Sequence, residues 1–280
     1  MRTNIWLTRG LRTAAWLSAS ILLFILLFLI QESSPLIGEI GLGPFFQADG
    51  WYPQEGAFQL TPMLLGSLFV AGGAVLLATP LGIIAALFGQ FYAPPALARL
   101  YRGLMELLAG VPSVVFGFWG LVVLVPWINR LAPPGASLLA GALVLALMIL
   151  PLVALTADAA LAAVPQQYLR GAAAMGLSRW GTIQRITLPV AMPGILSGVV
   201  LQTGRALGET MAVLMVCGNV VQIPSSWFEP VRTLTANIAL EMSYAVDQHR
   251  TALFISGLLL LLLTITLVAV ASHFRRMQHE

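Results

Sequence analysis

The amino-acid sequence predicts an all-α integral membrane protein with six transmembrane helices. Three observations carry this. Hydrophobic residues make up 59% of the 280-residue chain and charged residues only 9%, against about 25% charged in a soluble domain. Six long runs lack Asp, Glu, Lys and Arg altogether. The arginines gather at alternate ends of those runs, which is the pattern that sets orientation in a bilayer.

The runs are 13–31, 56–98, 107–129, 131–157, 186–204 and 251–274. A helix needs about 20 mostly apolar residues to cross the hydrocarbon, and each run is near or above that length. The first follows Arg2, Arg9 and Arg12, as a signal peptide would. Its apolar stretch to Ile30 exceeds the ~7–15 residues of a signal core, and no small-x-small cleavage pattern follows. It is expected to be an uncleaved anchor. The second run is twice the needed length, and Pro53, Pro62, Pro94 and Pro95 trim it to one helix over about Met63–Phe91.

With six spans, Arg99 and Arg102, then Arg170, Arg179 and Arg185, then Arg275 and Arg276 share the side of the N-terminal arginines. The other side carries Arg130, Arg232 and Arg250 beside Glu32, Glu39, Asp49, Glu55, Glu229, Glu241 and Asp247. Both termini are therefore expected to be cytoplasmic. The net charge of +3 is small and scattered, unlike a nucleic-acid footprint. A single cysteine, Cys217, excludes an internal disulfide. The histidines, His249, His273 and His279, lie outside the middle of any span, so no metal site is expected.

Two long outer loops are expected, 31–60 and about 218–250. Phe45, Phe46, Trp51 and Tyr52 in the first are expected to anchor at headgroup level, with docking of an extracellular partner as the alternative.

The cytoplasmic segment 158–190 is the least lipid-like part of the core. Gln166–Met175 is Ala-rich and favours helix. Gly176 can end that helix in a left-handed conformation, and Ser178 can cap a second short helix, Arg179–Thr187. Taken alone, this is an ordinary amphipathic connector. Its spacing says more: Gly176, nine residues, then Ile186-Thr187-Leu188-Pro189. That pattern resembles the EAA loop of ABC importer permeases, which docks on a cytosolic ATPase. Ala172 and Gly176 fit the pattern, as do Ile186, Leu188 and Pro189. Its opening Glu falls on Arg170 and its first Ala on Gly171, so any contact at 170 must be made differently.

The segment Gly204-Arg205-Ala206-Leu207-Gly208-Glu209-Thr210 puts two charges where lipid is expected. A helix starting near Met192 would place Arg205 about 20 Å along, near the midplane. Arg205 and Glu209, four apart, would share one face. Gly204 and Gly208 would let another backbone approach. A buried pair that only holds helices together is the plainer reading, but ionisable residues in a membrane span point to a substrate path. The guanidinium offers a planar fork of donors suited to a tetrahedral oxyanion. Glu209 is expected to hold Arg205 in place, and to accept a hydrogen bond from a protonated anion.

RALGETMAV at 205–213 resembles the signature of the PstC family, permease subunits of bacterial high-affinity phosphate ABC transporters. Trp51–Gly82 and Leu108–Gly120 are similar to that family too, and the likeness covers about residues 50–220. It implies a type I ABC importer permease fold, with residues 1–60 as an anchor helix and periplasmic loop and 61–280 as the transmembrane domain. It implies Arg205, Glu209 and Thr210 on the substrate path. It also implies a PstA-like sister permease, a PstB-like ATPase dimer that uses ATP and Mg²⁺, and a PstS-like periplasmic phosphate-binding protein. The chain itself lacks a G-x-x-x-x-G-K-[ST] loop, so it is not the ATPase and needs no cofactor. The alternatives are a permease for molybdate, tungstate or sulfate, or a membrane sensor or scaffold.

Overall fold

The computed structural model of the chain describes residues 5–47 and 50–277. Arg2, Asp49 and His279, used above, lie outside them. Among the described residues, five continuous helical spans are long and apolar enough to cross a membrane: Thr8–Ile40, Thr61–Phe91, Leu138–Ala162, Arg179–Gly208 and Asp247–Val270. A sixth is made by a pair, Pro95–Ala109 and Ser113–Asn129, bent by 91°. The third expected span is thus not one straight helix. Gly110 ends the first limb, and Pro112, in extended conformation, starts the second. Proline disfavours the helical region for the residue before it, Val111, so the chain turns there.

In order, α1 is Ile5–Ile40 and α2 is Pro44–Gln47. A two-stranded hairpin follows, β1 (Trp51–Tyr52) pairing antiparallel with β2 (Ala57–Phe58). Next come α3 (Thr61–Phe91), α4 (Pro95–Ala109), α5 (Ser113–Trp119) and α6 (Val125–Asn129), with one π turn, Gly120–Leu124, joining the last two. Then come α7 (Leu138–Ala162), α8 (Gln166–Ala174), α9 (Arg179–Thr182), α10 (Leu188–Gly208), α11 (Met211–Val216), α12 (Leu234–Glu241) and α13 (Asp247–Met277).

Helix α7 is the centre of the bundle: 67% of its most apolar stretch is buried, against none of that of α1. Ser137 caps its start by accepting from Ala140 N–H. Its buried residues Val144, Leu145, Met148 and Ile149 form one cluster with Val70, Ala74 and Ala78 of α3 and Ala206 and Leu207 of α10. Lipid tails are as apolar as these side chains, so close packing rather than escape from water holds the helices together. Gly141 shows the tightness: a Cβ there would collide with the Cys217 sulfur. Trp16, Leu17, Leu22 and Phe24 of α1 remain exposed, as a lipid-facing surface requires.

Three expectations change. The first helix does not end at Gln31 but continues to Ile40, because Leu36, Ile37 and Ile40 pack with Phe45, Leu234 and Leu253. The short helix expected at Arg179–Thr187 is not separate. It begins at Arg179 and passes through a π turn, Ile183–Thr187, straight into α10. That widened turn also accommodates Pro189, which has no N–H to donate. The segment 218–250 is not a plain outer loop either. Its helix α12 folds inward, with Leu234, Ala236 and Asn237 buried.

Candidate functional site

The fifth span breaks at the expected charged pair. Helix α10 ends at Gly208, and Glu209 is extended, with φ −69° and ψ 127°. Helix α11 then starts at Met211. Arg205 and Glu209 therefore do not share a helix face, and no ion pair joins them among the described residues. The carboxylate is used locally instead: Ala212 N–H donates to Glu209 Oε1 at 3.2 Å, capping α11. Thr210 Oγ1 donates to Gly208 O at 3.3 Å. Because the helix starts at Arg179 rather than near Met192, Arg205 stands in its last turn and not its middle.

Arg205 is exposed, and no hydrogen bond or ion pair holds it among the described residues. It lies on a stripe with Val190, Gly194, Leu201 and Gly208, all exposed, while Ile195, Gly198, Gln202 and Ala206 face inward. Neither glycine beside it meets another backbone of this chain. Gly204 has only a Thr264 methyl at 3.9 Å, and Gly208 faces open space. A bare guanidinium is too costly to leave against hydrocarbon, so this stripe suits a polar path or a second subunit.

Composition and spacing gave no sign of the largest polar cluster. Glu241, 7% exposed, is its hub. Its Oε1 accepts from Arg232 Nη1 at 2.6 Å, and its Oε2 accepts from Trp51 Nε1 at 2.8 Å. His249 Nε2 lies 2.8 Å from the same Oε2. An ionised carboxylate only accepts, so that nitrogen carries the proton. Arg232 also donates to Asn219 O at 2.9 Å and Asn237 Oδ1 at 3.0 Å. Trp51 and Phe45 are therefore buried and not headgroup anchors, whereas Tyr52 and Phe46 are exposed. The signal available was a Trp in the loop before the second span and acidic residues in a later one, with nothing to pair them.

At the loop between α7 and α10, α8 presents Tyr168, Arg170 and Gly171 outward and buries Ala172, and Met175, just after it, is exposed. Gly176 has φ +71°, and Ser178 Oγ accepts from Gly181 N–H at 3.1 Å. Arg179 donates to Phe91 O at 3.0 Å and lies over the Tyr92 ring, which ties the loop to the end of α3. Ile186 and Leu188 are half-buried and Pro189 is exposed. Among the described residues no group of His, Cys, Asp and Glu is arranged to hold a metal.

Residues 78–278 match the model of the family described as binding-protein-dependent transport system inner membrane component, and the chain belongs to that family: it is a multi-pass inner-membrane permease subunit of an ABC importer. Such a subunit works with a separate ATPase and a substrate-binding protein. Its relatives narrow the class. It is 34% identical to the phosphate transport system permease protein PstC of Mesorhizobium japonicum, over 82% of this chain and 77% of that one. It is 32% identical to PstC of Haemophilus influenzae, over 89% and 85%. The Bacillus subtilis protein named "Probable ABC transporter permease protein YqgH" is 36% identical over 89% and 82%. The fold matches a chain of the MetNI methionine ABC transporter in an inward-facing conformation, with TM-score 0.60, 17% identity and coverage of 78% of this chain and 94% of that one. It also matches a chain of a bacterial alginate ABC transporter, with TM-score 0.61, 18% identity and coverage of 96% and 97%.

Proposed function

We propose that this subunit forms half of a phosphate path, as its PstC relatives are named to do, with Arg205, Glu209 and Thr210 lining it. The observation that carries this is Arg205 at a helix break, exposed and without a partner among the described residues. Two helix ends meet there without a continuous backbone ladder, and interrupted helices with free polar groups are how membrane proteins build ion sites. The guanidinium supplies a fork for the anion. Glu209 does not hold Arg205, and its Oε2 remains to accept a hydrogen bond from the P–OH group of hydrogen phosphate. Sulfate has no such proton near neutral pH.

The remaining parts follow from this assignment. The stripe along α10 faces the path or a PstA-like sister permease. The outward face of α8, with Arg170, Gly171, Ala172, Gly176, Ile186, Leu188 and Pro189 setting its shape, docks into a groove of a PstB-like ATPase dimer. A PstS-like periplasmic protein delivers phosphate to the opposite side, and both termini are cytoplasmic. ATP and Mg²⁺ are used by the ATPase. The test is phosphate uptake by the reconstituted transporter, with sulfate and molybdate as competitors. Arg205→Gln is expected to abolish uptake while the protein still assembles in the membrane. Normal uptake by that variant rules out the anion path, and stronger competition by molybdate than by unlabelled phosphate reassigns the substrate.

A further inference from the structure

We infer that Thr235 and Glu241 are positioning residues for Glu209, and that α12 is the rigid arm between them; the inference rests on Glu209 lining the substrate path. Glu209 is the extended residue between two helices. A residue in that position keeps its orientation only if its polar groups are tied down. Its carboxylate is held by Ala212 N–H. Its carbonyl accepts from Thr235 Oγ1 at 2.9 Å. That second bond comes from α12, which lies 26 residues further along the chain.

The proton directions are determined. Thr235 Oγ1 is also 3.0 Å from Thr233 Oγ1. A hydroxyl has one proton, and that of Thr235 goes to Glu209, so Thr233 donates to Thr235. Thr233 in turn accepts from Ala236 N–H at 3.2 Å as the cap of α12. The bond to Glu209 is therefore the end of a directed chain, Thr233 to Thr235 to Glu209, anchored in the helix start.

The arm is clamped at both ends. At its start, Leu234 N–H donates to Ser67 Oγ at 2.9 Å. There α3 comes so close that a Cβ on Gly66 would stand 2.6 Å from Arg232 O. At its end, Glu241 binds Arg232, His249 and the Trp51 indole. These partners belong to the segment before α12, the first turn of α13 and the outer hairpin. Charge is nearly balanced around Glu241, and its carboxylate accepts three bonds from three directions. Removing any one lets the helix end move. Because α12 has only 8 residues, a tilt at Glu241 reaches Thr235 less than two turns away. The hairpin, the arm and the helix break thus form one hydrogen-bonded line from the outer face to Glu209.

The test uses the whole transporter, reconstituted with its sister permease, ATPase and binding protein, and inorganic phosphate as the anion. Thr235→Val keeps the shape and removes the donor. It is expected to lower the maximal uptake rate about tenfold, with KM changed less than twofold and only the small fall in Tm that one lost buried hydrogen bond brings, and Thr235→Ser is expected to restore uptake. Glu241→Gln is expected to lower uptake similarly. The double variant should be no slower than Glu241→Gln alone, since both act through one bond. Wild-type uptake by Thr235→Val overturns the inference. So does failure of rescue by serine, a multiplicative loss in the double variant, or a loss that follows Tm across the series. Arg205→Gln serves as the control. If it transports normally, the path reading itself fails; if it is inactive while Thr235→Val is normal, only the positioning role fails.

Discussion

Ala212 N–H donates to Glu209 Oε1 at 3.2 Å, and this bond, not an ion pair with Arg205, holds the carboxylate at the helix break. Capping and transport can therefore be separated by substitution. Glu209→Ala removes the acceptor for an otherwise unpaired donor and is expected to destabilise the subunit by about 1 kcal/mol, the usual value of a lost helix cap. Glu209→Gln keeps an oxygen at the same reach and should preserve most of that stability while losing the negative charge. If the carboxylate meets a protonated anion, both variants transport poorly although only the alanine variant lowers Tm. Uptake that follows Tm in both would leave Glu209 as a cap alone.

Glu241 carries more of the stability. It stands 2.6 Å from Arg232, and the two side chains are 9% and 18% exposed. Glu241→Ala leaves a cation and the Trp51 N–H facing a low-dielectric interior. Breaking a buried pair by removing one partner costs about 3–5 kcal/mol. Glu39, by contrast, accepts from Gln248 in an exposed pair, and exposed polar pairs contribute about 0–1 kcal/mol. Thermal melting in detergent should show a large drop for Glu241→Ala and almost none for Glu39→Gln. Equal shifts would mean that the cluster around Glu241 is solvated.

The difference between these two glutamates marks where sequence reasoning reaches. Apolar runs and arginine alternation are local signals, and they located the spans because each helix must satisfy its own backbone in lipid. Gly176 and Ser178 were legible for the same reason, since a left-handed turn and a helix cap are decided by a few neighbouring residues. The spacing Arg205 to Glu209 misled, because helical periodicity was extended through a residue that is extended in the fold. Glu241 was invisible as a hub. Its partners Trp51 and Arg232 lie 190 and 9 residues away in the chain, and only the packing of α12 against α3 and α13 brings them together. The bend at Gly110–Pro112 was written in the chain as a proline, but a run free of charges concealed it.

The turn at Gly176 separates conformational strain from contact. Its φ is +71°, and a Cβ there would meet nothing within 4 Å. Any effect of substitution must therefore come from the backbone, where a left-handed residue other than glycine costs about 1–2 kcal/mol. Gly176→Val should incur that cost and more, as β-branched residues adopt φ > 0 least readily. Gly176→Asn should cost little. If the turn aims α8 at the ATPase, the valine variant is expected to keep its place in the membrane but lose at least half of the substrate-stimulated ATP hydrolysis, with asparagine close to wild type. Pro189→Ala, at the exit of the π turn, keeps a residue that fits the helical backbone there and is expected to lower stimulation less than Gly176→Val does. Hydrolysis measured in the reconstituted complex decides it. Stimulation at the normal level in Gly176→Val would show that the ATPase does not read the angle of this turn.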